Sequence, residues 1–124
     1  MRSTTGLVRS RGSAREGVAH WKAQRLTALA NVPLVLWFVF SAVGLAGADH
    51  AAVAAWLQAP LNATLMLLLI LSAFHHTRLG LQVVVEDYVH HEGYRLAALI
   101  GITFGMFLLG GLCVVSVLKV ALGS

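Results

Sequence analysis

The segment Leu71–Glu92, LSAFHHTRLGLQVVVEDYVHHE, decides how the rest of the chain is read. It starts within apolar sequence, carries the adjacent pair His75-His76, and ends in the charged and aromatic cluster Glu86-Asp87-Tyr88. On a helix, His76, Gly80, Val83 or Val84, and Asp87 follow one another at three- or four-residue intervals and share one face. The eleven residues from His76 to Asp87 correspond to roughly 16 Å of rise. One face thus offers an imidazole at depth and, nearer the surface, an acid beside a phenol. That is enough for two separate sites.

Working outward, the apolar residues fall into three blocks, Leu26–Gly47, Leu61–Val85 and Leu96–Leu118. Each is close to the ~20 residues a bilayer span requires. The first and third carry no charge and the second carries only Arg78. A soluble three-helix bundle would show polar stripes at helical spacing, whereas these blocks are apolar nearly all round. With 58% hydrophobic and 11% charged residues in 124, the chain reads as an all-α, three-span membrane protein. A tail and interfacial segment (1–25) precede the membrane domain (26–124).

The net charge of +4 does not point to nucleic acid, because of where the charges lie. Arg2, Arg9, Arg11, Arg15, Lys22 and Arg25 all precede the first block, and the connection after it holds Asp49 but no Lys or Arg. The positive-inside rule then places the N-terminus and the second connection on the cytoplasmic (or matrix) side. The single Cys113 excludes an internal disulfide and a cysteine-based metal cluster, and reads as a small packing residue.

Residues 1–16, rich in Arg, Ser, Thr and Gly, fit either a flexible cytoplasmic tail or a transit peptide. No apolar stretch precedes Leu26 to serve as a secretory signal. Trp21 suits a membrane interface, and Arg25 can either snorkel to headgroups or pair with a carboxylate at that depth, such as a haem propionate. Pro33 predicts a kink in the first span, with Asn31 placed to compensate the freed backbone. Residues 51–60 are too short to cross and predict an interfacial turn or short helix, with Asn62 capping the helix that follows. In the third span Ala97, Gly101 and Gly105 recur every four residues, a thin row that a helix or a flat cofactor can approach.

An imidazole inside a span must face protein, cofactor or water. Three roles fit His76: a hydrogen bond to a neighbouring helix, axial ligation of a haem iron, or proton relay. His75 points about 100° away, so the pair cannot clasp one iron, and a second axial ligand would come from another chain. For Glu86-Asp87-Tyr88 the alternatives are a solvated helix end with Tyr88 as interface anchor, or a quinone site. A quinone takes up two electrons and two protons, and a tyrosine hydroxyl beside an aspartate supplies the donor its carbonyl needs. His90 and His91 fit either exposed loop residues or proton relays.

His76-x-x-x-Gly80 followed by Glu86-Asp87-Tyr88-Val89-His90 resembles the second-helix signature of the hydrophobic membrane-anchor subunit of succinate dehydrogenase. GSAREGVAHWKAQRLTA, Gly12–Ala28, resembles the segment leading into that family's first helix. The resemblance implies a subunit without an active site of its own. It implies partnership with a second, cytochrome b-type membrane-anchor subunit, an iron–sulfur subunit and a flavoprotein subunit, with haem b bound between the anchors and ubiquinone as electron acceptor. It makes His76 the haem ligand, Tyr88 the quinone hydrogen-bond donor, Asp87 the adjacent acid, and Arg25 a residue near the propionates. It also favours an uncleaved N-terminal tail and a bacterial inner membrane. A fumarate reductase-type anchor and a cofactor-free scaffold remain as alternatives.

Overall fold

The computed structural model describes residues 4–123, with side chains described from Glu16 onward. Arg2, and the side chains of Arg9, Arg11 and Arg15 that enter the charge argument, lie outside the described residues. Four helices follow in order: α1 (Thr4–Gly44), α2 (His50–Gln58), α3 (Pro60–Tyr88) and α4 (Glu92–Ala121). Three are long and apolar enough to cross a membrane, over Glu16–Gly44, Pro60–Tyr88 and Glu92–Ala121. At 29 or 30 residues each spans roughly 43–45 Å, enough for the hydrocarbon layer and both headgroup regions.

Helix α1 starts well before the first apolar block, where the sequence suggested a flexible tail. Once a helix is nucleated, adding a turn costs little, and the Arg, Ala, Glu and Lys around the glycines are good helix formers. The helix runs on through Pro33 to Gly44. Asn31 does not compensate the proline: its side chain makes no hydrogen bond among the described residues, and its Oδ1 is buried.

The chain reverses through a turn that ends at Gly47, whose φ of +82° is costly for any residue with a Cβ. Asp49 then caps α2, accepting a hydrogen bond from the Ala52 amide at 2.9 Å. Residues 51–60 are therefore mostly helix. Ala59 is extended, as a residue before proline must be, and Pro60 opens α3 at a position where no amide is needed. Asn62 differs from expectation. It donates to the Trp56 carbonyl at 2.9 Å and so closes the end of α2, while α3 begins without a side-chain cap.

Helix α3 is the centre of the bundle, packed against α1 on one side and α4 on the other, with α2 lying across the ends of α3 and α4. Leu57, Ile70 and Val117 form the small core there, with Phe74 and Cys113 against it. Trp37 of α1 stacks on Trp56 of α2 at 5.6 Å between ring centroids. Only four apolar side chains are buried among the described residues, and large ones such as Phe40 (75% exposed) and Phe104 (71%) face outward. Such an exterior is stable against lipid or other chains, not against water. The Ala97-Gly101-Gly105 row stays open, with nothing within 4 Å of a Cβ built on either glycine.

Candidate functional site

The seam between α1 and α3 gathers several polar groups of the spans. Thr27 on α1 places its Oγ1 3.0 Å from Nδ1 of His76 on α3. The same hydroxyl lies 2.8 Å from the Ala23 carbonyl and 3.1 Å from the Gln24 carbonyl, the backbone acceptors one turn back. A turn earlier on α3, Ser72 donates to the Thr27 carbonyl at 3.3 Å. A turn later, Gly80 brings α3 close to Gln24, whose Nε2 would sit 3.8 Å from a Cβ at that position. Small and hydroxyl residues are what close approach inside a membrane uses.

His76 is half-buried, and its Nε2 has no hydrogen-bond partner among the described residues. The first of the three roles read from sequence, a hydrogen bond to a neighbouring helix, is thus met through one ring nitrogen. The other nitrogen stays available. The same face of α1 also carries His20, Gln24 and Asn31 at helical intervals from Thr27. Each has a buried polar atom without a partner: His20 Nε2, Gln24 Oε1 and Asn31 Oδ1. Sequence reasoning passed over this row. Its signal was the spacing of His20, Gln24, Thr27 and Asn31 by three and four residues.

The other expected site residues lie away from the seam. Arg25 is exposed, two residues from Thr27 and so on the far side of α1, with its guanidinium 5.4 Å from the centroid of the Trp21 ring. The structure does not bring Arg25 to His76. Tyr88, 78% exposed, is the last residue of α3, and Asp87 beside it is exposed as well. Neither side chain makes a hydrogen bond among the described residues, whereas Glu86 accepts one from Gln82 Nε2 at 3.0 Å. His91 acts locally, as the cap of α4. Its Nδ1 accepts from the Tyr94 amide at 3.3 Å, and its ring packs on the Tyr94 ring. His90 is exposed in the connection between α3 and α4.

On the opposite side of α3, His75 and Arg78 line an apolar groove of about 470 Å³ against Met106, Phe107 and Gly110 of α4. The two adjacent histidines thus serve different faces. Among the described residues no three His, Cys, Asp or Glu side chains converge as a metal centre. One imidazole with a free Nε2 would fit a prosthetic group that needs a single nitrogen donor from this chain, and does not by itself make a metal centre.

Fold and seam together define a class: an all-helical membrane protein of three spans, with an imidazole held between two of them. The chain belongs to the succinate dehydrogenase/fumarate reductase transmembrane subunit family, whose model matches residues 1–117. It is 31% identical to the succinate dehydrogenase hydrophobic membrane anchor subunit of Rickettsia bellii, covering 77% of this chain and 76% of that one. Against the protein of the same name from Rickettsia conorii it is 28% identical, over 71% of each chain. A succinate dehydrogenase membrane anchor subunit of Reclinomonas americana is 30% identical over 68% of this chain and 73% of its own. No solved structure matches the chain.

Proposed function

We propose that this chain is the hydrophobic membrane-anchor subunit of a succinate:ubiquinone oxidoreductase in a bacterial inner membrane, with its N-terminus and Tyr88 on the cytoplasmic side. It does no succinate chemistry. It tethers the flavoprotein and iron–sulfur subunits, pairs with a second anchor chain, and contributes residues toward haem b and ubiquinone. The observation that carries the site reading is the His76 imidazole, held at mid-span through Nδ1 with Nε2 unpartnered among the described residues. Family membership over nearly the whole chain supports the rest, and the relatives carry the succinate dehydrogenase name.

When bound, haem b supplies a one-electron carrier within the membrane. This chain's part would be to hold the group through Nε2 of His76 and to exclude water from that depth. Arg25, exposed near the start of the apolar block, is available to a propionate. Roughly 16 Å along α3 from His76, Asp87 and Tyr88 lie exposed at the helix end, where a quinone headgroup can reach them. The Tyr88 hydroxyl donates to a quinone carbonyl, and Asp87 beside it takes up protons from the aqueous side.

The test is a dithionite-reduced minus oxidised spectrum of the complex that copurifies with this chain in mild detergent. A b-type α-band in the native complex that is lost in His76→Ala is the expected result. An intact complex whose band is unchanged by His76→Ala sinks the ligand assignment.

A further inference from the structure

Thr27 has a single hydroxyl hydrogen and three acceptors within reach. Two are backbone carbonyls of its own helix, at 2.8 and 3.1 Å, and the third is Nδ1 of His76 at 3.0 Å. With its hydrogen directed to the carbonyls, as threonine in a membrane helix habitually does, Oγ1 can only accept from the imidazole. His76 must then carry its proton on Nδ1, and its lone pair lies on Nε2. The reverse arrangement leaves two carbonyls short of the shared hydroxyl and blocks Nε2 with a proton.

We infer that Thr27 is the positioning residue of the His76 ligand, an inference that rests on the haem reading above. Accepting a hydrogen bond from Nδ1 fixes the tautomer and restrains the angle of the ring. It also makes the imidazole a more electron-rich donor through Nε2, since a ligating histidine gains basicity when its other nitrogen donates a hydrogen bond. Ser72 donates to the Thr27 carbonyl at 3.3 Å, a packing contact of the same seam. It touches the threonine backbone without touching the ring.

The experiment compares Thr27→Val, Thr27→Ser, Ser72→Ala and His76→Ala in the assembled complex. Its readouts are haem retention during purification, the midpoint potential of the haem, and the ferric low-spin electron paramagnetic resonance signal. Thr27→Val keeps the shape of the side chain and removes its hydroxyl. It is expected to weaken haem retention about tenfold or more, raise the midpoint potential and broaden the ferric signal, because the iron then sees a less basic and less fixed imidazole. Thr27→Ser restores native values and Ser72→Ala leaves the potential unchanged. Thr27→Ala takes the place of valine if the branched side chain impedes assembly.

A native potential and ferric signal in Thr27→Val, in a complex whose haem is lost in His76→Ala, overturn the inference and leave the ligand reading standing. So does an equal shift in Ser72→Ala, which would trace the effect to helix packing. Haem that survives His76→Ala unchanged removes the ligand reading, and the inference with it.

Discussion

Thr27 and His76, forty-nine residues apart in sequence, meet across the α1–α3 seam with 3.0 Å between Oγ1 and Nδ1. That contact turns one of two adjacent histidines into a fixed group. His75, a step of about 100° around the helix, faces the groove toward α4 and has no such partner among the described residues. His75→Ala is therefore expected to retain the haem α-band at native intensity while His76→Ala loses it. Spectra of the two purified variants, normalised to the flavin of the complex, decide the matter. Equal loss in both would show that the seam does not select the ligand.

At the other end of the same helix, Tyr88 lies exposed with its hydroxyl unbonded among the described residues. Tyr88→Phe removes one donor and leaves the ring as an interface anchor. Losing a hydrogen bond of about 1–2 kcal/mol to the bound quinone corresponds to roughly five- to thirtyfold slower quinone reduction. Succinate oxidation by a soluble dye, which bypasses the membrane site, and the haem content stay native. Ubiquinone reduction at the native rate in this variant would refute the quinone assignment.

How much of this was legible beforehand follows from the physics of each feature. The three spans were visible because a bilayer demands long apolar stretches with every backbone group paired internally, and nothing else in a chain of this size looks alike. The start of α1 was not visible, since a segment rich in Arg, Ser, Thr and Gly read as a tail on composition while the ongoing helix carries through it. His76 stood out through its spacing to Gly80 and Asp87. Thr27 did not, because a threonine in a span usually satisfies itself on its own helix, and only the packing of α1 on α3 reveals the second contact. Arg25 was read as a partner of headgroups or of a propionate and lies over Trp21, a four-residue neighbour that sequence alone could have suggested. Asn62 sits where a capping residue belongs but serves the preceding helix, a choice made by the tight Ala59-Pro60 corner.

That corner gives a local prediction. Asn62→Ala leaves the Trp56 carbonyl without its side-chain donor at the apolar end of α2. The expected cost is about 1 kcal/mol, seen as a lower melting temperature of the detergent-solubilised complex with native haem content and turnover. Loss of haem in Asn62→Ala would mean that the α2 corner is coupled to the α1–α3 seam, which begins at Ser72 further along α3.

Gly80 tests the seam itself. A Cβ there would stand 3.8 Å from Gln24 Nε2, an ordinary van der Waals contact, so Gly80→Ala should assemble and hold haem as the native chain does. The glycine is not tight enough to forbid one methyl group. Gly80→Leu is different, because the added carbons extend into the space Gln24 occupies and wedge α1 away from α3. The Thr27–His76 contact then opens, and with it the restraint on the ring. The expected result is a complex with its three spans intact but markedly lower haem per flavin, measured on the purified protein. If Gly80→Leu keeps native haem content, the approach of α1 to α3 is not what holds His76 in place. If Gly80→Ala already loses haem, the crowding at Gly80 comes from something other than Gln24, namely a group brought by the partner chain or the haem.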